Sequence, residues 1–129
     1  MRTDETKPGD WLFLAKERLV AADVLRVALG ATYSGIELLQ ESVERYLKGY
    51  LISRGWALRK THSLPALLDE AIALDDRFMP HADVCENLAA QFWAQHYPGD
   101  DLSDVGLDYD ELRKKIGDLV TLIQTCVKG

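Results

Sequence analysis

The residues best suited to chemistry lie in one stretch, Tyr33 to Leu68. Lys60-Thr61-His62 stands immediately before Ser63, a residue type that N-caps helices, and Pro65 follows in what would be the first turn. A helix N-terminus offers unbonded N–H groups and the positive end of a dipole, so an anion is stabilised there. The Lys60 ammonium and the Thr61 hydroxyl could complete a phosphate site beside His62. Arg54 and Arg59 extend the basic run. The plainer reading has His62 capping or packing the loop and the cations solvated. Upstream, Glu44 and Lys48 are four residues apart with the acid on the N-terminal side. As an exposed helix pair they contribute about 0.2–0.5 kcal/mol. Beside Val43 and Leu47, at the edge of an apolar stripe, they could instead order a pocket or a subunit contact. Tyr97, before Pro98, could close a pocket wall, or simply pack beneath a helix stop. The candidate ligand-binding residues are therefore Lys48, Lys60, Thr61, His62 and Tyr97. Glu44 and Lys48 form a structural pair, and His62 is the one weak catalytic candidate.

Other chemistries lack their residues. A di-metal carboxylate bundle needs Glu-x-x-His on two helices, and the motif does not occur. His81 and Cys85 share a helical spacing, but two ligands do not make a zinc site. There is no G-x-S-x-G elbow, no convincing Cys/His pairing and no glycine-rich phosphate loop. No metal or cofactor is implied.

Helices must position these groups. Asp10 is the expected N-cap of the first helix, after a flexible lead-in over residues 1–9. Apolar residues then recur at helical spacing from Trp11 to Leu29, and Gly30 is the stop. Ala15, Ala21, Ala22 and Ala28 allow a neighbouring helix to come close. The second helix is expected from about Tyr33 to Arg54, burying Ile36, Leu39, Gln40, Val43, Leu47, Tyr50 and Leu51. Gly35 and Gly49 inside it each cost up to about 1 kcal/mol in propensity, so they either mark tight contacts or weaken the helix. A third helix follows Ser63, and the segment DDRFMP breaks the pattern. The fourth helix runs from about His81 towards Tyr97-Pro98. The fifth runs from about Tyr109 to Val127, with Asp108 and Glu111 as a capping box. Strand alternation and internal repeats are lacking. The expected fold is all-α, an up-and-down bundle of about five helices.

The 129 residues fit a single domain over 1–129, with enough chain for a core without disulfides. A net charge of −6 disfavours generic nucleic-acid binding, although a local basic patch could still support it. Cys85 and Cys126 are far apart and suggest a reduced, cytoplasmic setting. The polar N-terminus lacks the apolar core of a secretory signal, and no apolar run can span a bilayer.

Four stretches, taken in order, resemble the HEPN domain family of prokaryotes: WLFLAKERLVAADVL, ELLQESVERYLKGYLISRG, KTHSLPALL and QFWAQHYPGDD. The likeness spans about Trp11 to Asp101. It implies a compact helical bundle, usually a homodimer packed through helices. Many such proteins are encoded beside a minimal nucleotidyltransferase, in toxin–antitoxin or related modules. Some are metal-independent ribonucleases with an Arg followed, after four to six residues, by a His. Here Arg59 is too close to His62, Arg54 is too far from it, and only three residues separate Arg77 from His81. Glu41 replaces the usual second Gln. The resemblance therefore implies first a non-catalytic partner of a nucleotidyltransferase, with a nucleotide or other phosphate-bearing ligand. The alternatives are a ribonuclease toxin acting on RNA and a bundle that only mediates protein contacts.

Overall fold

The computed structural model describes residues 1–95, 98–99, 102 and 104–127. Five helices carry the fold: α1 Pro8–Leu29, α2 Tyr33–Ser53, α3 Leu64–Leu74, α4 Ala82–Ala94 and α5 Val105–Cys126. A 3-10 helix, Asp76–His81, links α3 to α4. The expected all-α bundle is what the chain forms, with no strand among the described residues. No helix among them is long and apolar enough to cross a membrane.

Two helix starts differ from expectation. α1 begins at Pro8 rather than after Asp10, with Lys7 at the cap. Proline suits the first turn because its missing N–H needs no partner there. Asp10 is the third residue of the helix, too deep to cap it, and its Oδ2 accepts the Asp4 N–H at 2.8 Å. The Trp11 indole donates to the Glu5 carbonyl at 2.9 Å. Residues 4–7 are thus folded onto the start of α1 rather than forming a loose lead-in. α5 begins at Val105, capped by Asp104 accepting the Gly106 N–H at 3.0 Å. Asp108 is therefore in the first turn, where its charge complements the dipole, and the Asp108–Glu111 box is not the start. Ser63 caps α3 as expected, accepting the Ala66 N–H at 3.3 Å. Thr32 caps α2. Gly30 and Gly55 close α1 and α2 with φ of 82° and 87°.

α2 is the central element and packs on all four other α-helices. Its Ile36, Leu39, Val43, Leu47 and Leu51 are fully or almost fully buried. Close backbone packing of α1 is with α2 alone. Ala15 and Ala22 sit at that contact, and the Ser42 hydroxyl donates to the Ala15 carbonyl at 2.8 Å. Ala21 and Ala28 face outward. Two bidentate pairs tie α1 to α5: Arg26 on Asp110, and Arg113 on Asp23.

Both glycines inside α2 mark close approaches. A Cβ at Gly35 would lie 3.0 Å from the Tyr109 ring. At Gly49 it would lie 3.0 Å from Leu12 Cδ2, 3.1 Å from Trp11 Cβ and 3.3 Å from the Pro8 carbonyl oxygen. Gly49→Ala gains about 1 kcal/mol of helix propensity. Overpacking against the start of α1 costs about 1–3 kcal/mol. The expected net result is a loss of about 1 kcal/mol and a lower Tm, because two of the three obstructing atoms are backbone or Cβ. A higher Tm would reject the close-approach account.

His81, half-buried at the start of α4, is held below its ordinary value of 6.5 by burial, with Asp118 opposing. The unfolded chain therefore takes up this proton first as pH falls. The contribution is intact above about 6.5 and is lost as pH drops from there towards the folded value. His81→Gln should flatten the decline in urea midpoint between about pH 7 and 5. An unchanged pH profile would exclude His81 as a source of that decline.

Candidate functional site

The site is built where the loop after α2 returns over the middle of that helix. Glu44 and Lys48 are both buried, at 7 and 4 % exposure. The Lys48 ammonium donates to Glu44 Oε2 at 2.9 Å. It also lies 5.7 Å from the centre of the Trp11 ring, so the pair reaches α1. His62 Nδ1 lies 3.1 Å from both Glu44 oxygens. Gln40, one turn earlier, donates its Nε2–H to the His62 carbonyl at 3.2 Å. One buried carboxylate thus joins α2, α1 and the start of α3.

This geometry assigns roles by position. Nδ1 is the ring nitrogen that faces Glu44, which leaves Nε2 turned away from the carboxylate. The His62 side chain is 73 % exposed, so that nitrogen is accessible. Lys48 is held inside and cannot also reach a ligand at the loop. The Glu44–Lys48 pair is therefore buried and not a solvated surface pair.

The N-terminus of α3 has little left to offer an anion. The Ser63 N–H bonds to Thr61 Oγ1, the Ala66 N–H bonds to Ser63 Oγ, and Pro65 has none. Of the early positions, Leu64 keeps its donor. Lys60 is exposed and Thr61 half-exposed beside it. Tyr97, the remaining candidate, lies outside the described residues.

A cavity of about 320 Å³ opens beside His62. Glu37, Gln40, Glu44 and Arg45 line it from α2, and Phe92 and Trp93 from α4. The two rings meet edge to face at 5.1 Å. Gln40 Oε1 is buried with no hydrogen-bond partner among the described residues. Arg45 donates to the Glu41 carbonyl at 3.0 Å. Burial lowers its pKa, and the nearby Arg18 adds to that. Sequence spacing did not single out Arg45, since it adjoins Glu44 in the chain and reads as a solvated helix residue.

The arginines weighed against His62 and His81 are engaged elsewhere. Arg54 donates to the Tyr50 hydroxyl at 3.0 Å. Arg59 pairs with Glu70, and Arg77 with Asp75 at 2.7 Å. His81 and Cys85 belong to no set of three or more metal-ligating side chains among the described residues. Burial pushes the Cys85 thiol up to about 12, so it is not a reactive thiolate.

A family model for the HEPN domain matches residues 9–128. The chain belongs to the HEPN domain family. Comparison with curated proteins and with solved structures gives no match. Within this HEPN domain, the Lys-Thr-His stretch opens α3, and its histidine is anchored to the glutamate of the Glu-x-x-x-Lys pair on α2.

Proposed function

We propose that this HEPN protein is a non-catalytic helical partner of a minimal nucleotidyltransferase. It acts as a homodimer in a cytoplasmic two-component module of the toxin–antitoxin kind. The partner class rests on the family resemblance. The observation that carries the non-catalytic reading is the charge around His62. Glu37, Glu41 and Glu44 line its cavity against one cation, Arg45. Glu44 is neutralised by Lys48 and Glu41 lies beside Arg18, so the lining has no excess of positive charge to draw in a phosphodiester, whereas cleavage needs a cation to stabilise the charged intermediate. A nucleotide or other phosphate-bearing ligand would depend on Lys60, Thr61 and the Leu64 N–H at the outer side of the loop. Co-expression with the nucleotidyltransferase of a neighbouring reading frame should give a complex that co-elutes from a sizing column. Separate elution of the two folded proteins would sink the partner reading. Titration with AMP and ATP tests the ligand, with Lys60→Ala expected to abolish any heat of binding.

A second reading has one specific support: Arg45 and His62 line the same cavity. His62 Nε2 would be the general base or acid, and Arg45 the stabilising cation, in a metal-independent ribonuclease. Purified protein incubated with single-stranded and structured RNA decides it. Cleavage lost in both His62→Ala and Arg45→Ala would establish the nuclease and overturn the non-catalytic reading. Intact RNA removes it for those substrates.

A further inference from the structure

α1 is apolar on two opposite faces. Ala15, Leu19 and Ala22 point into the core. Phe13, Val20, Val24 and Val27 are 43, 52, 63 and 89 % exposed. At about 100° per residue these four fall within an arc of ~60° on the side away from α2. A helix on the surface of a lone domain carries polar residues there. The same side borders a groove of about 740 Å³ between α1 and α2, lined by Phe13, Arg18, Val20, Leu38 and Glu41 among others.

We propose that this face of α1 is where a second copy of the chain docks, with the two α1 helices antiparallel. The inference rests on the homodimer reading above and names its surface. The stripe is symmetric about Val20, since Phe13 and Val27 each lie seven residues from it. A twofold axis through Val20 sets Phe13 on the partner's Val27 and Val20 on the partner's Val20. One patch thereby complements itself, as a twofold interface requires. The charges agree with this. Lys16 and Asp23 lie on one flank of the stripe, and antiparallel packing brings like flanks together. Lys16 then meets the partner's Asp23, twice per dimer. Asp23 is fixed for this by Arg113 at 2.8 Å, yet its side chain remains 48 % exposed. The groove is also balanced, with Lys16 and Arg18 against Glu17 and Glu41. On a protein of net charge −6, a neutral strip is where a copy approaches with least repulsion. Antiparallel helix dipoles add a small favourable contribution.

Sedimentation of the full chain over a concentration series should show a dimer. Val20→Glu with Val24→Glu should weaken it at least about tenfold while leaving the monomer folded by circular dichroism, since both sites are exposed in the monomer. In a Cys126→Ser background, Val20→Cys should form a disulfide-linked dimer under mild oxidation, while Glu111→Cys on α5 should not. A dimer that survives the double variant and is not trapped through position 20 overturns this surface and leaves the homodimer reading standing. A wild-type chain that stays monomeric at every concentration overturns both.

Discussion

Replacing Glu44 with alanine should lower stability by about 3–5 kcal/mol, the range for removing one partner of a buried ion pair. With a urea m-value of about 1–3 kcal/mol/M, the midpoint should fall by roughly 2 M. The reason is what remains. Lys48 is 4 % exposed, and its ammonium contacts Glu44 Oε2 at 2.9 Å and the Trp11 ring at 5.7 Å. Without Glu44, the charge is left among apolar groups with only the ring face to stabilise it. The loop loses its anchor as well, because His62 Nδ1 reaches both Glu44 oxygens. The pair itself need not be net stabilising, since desolvation offsets much of its attraction. Glu44→Leu with Lys48→Met should therefore recover most of the loss. His62→Ala should cost under about 1 kcal/mol, because that side chain is mostly exposed. A Glu44→Ala loss of only about 0.2–0.5 kcal/mol, typical of a solvated helix pair, would show that Lys48 reaches water.

The cluster also shows what a sequence can and cannot disclose. Helical periodicity identifies α2 and its buried stripe because burial repeats with the turn of the helix. Glu44 and Lys48 are visible as a pair for the same reason. Their partner His62 is eighteen residues from Glu44 across an aperiodic loop, so no spacing rule connects them. The cavity is less legible still. Arg45 enters it by adjoining Glu44, and Phe92 and Trp93 enter through the packing of α4 on α2. One signal was there to be read: Gln40, Glu44 and Lys48 recur at intervals of four within an otherwise apolar face. Polar groups persist at such positions when they have partners inside. The shifted starts of α1 and α5 have a local cause. Several acids precede each helix, and any of them could cap it; Pro8 and the turn at Asp104 decide which does.

Phe78→Ala should cost about 3–5 kcal/mol, comparable to losing Glu44 but by a different mechanism. In sequence, Phe78 falls in the segment that interrupts helical spacing, where a loop residue would be expected to tolerate change. In the fold it is fully buried, and its ring lies 4.6 Å from that of Tyr50 on α2. The 3-10 helix that carries it touches α3, α4 and α5, so one side chain fills the junction of several elements. The cost of a cavity depends on how far its walls can collapse. Here the segment is clamped. The Arg77 guanidinium donates twice to Asp75 Oδ2, at 3.1 and 2.7 Å, and also reaches Cys126 Sγ at 3.4 Å. Hydrogen bonds from Arg77 hold the Asp75 carboxyl down at about 2, so the clamp persists at neutral pH. With the backbone fixed, alanine leaves a void that its neighbours cannot close. Phe78→Leu should recover at least half of the loss, because it restores most of the apolar volume without the ring contact. Urea midpoints of the two variants test this. Equal, small losses in both would mean that the junction relaxes freely, and that the 3-10 helix is only a connector.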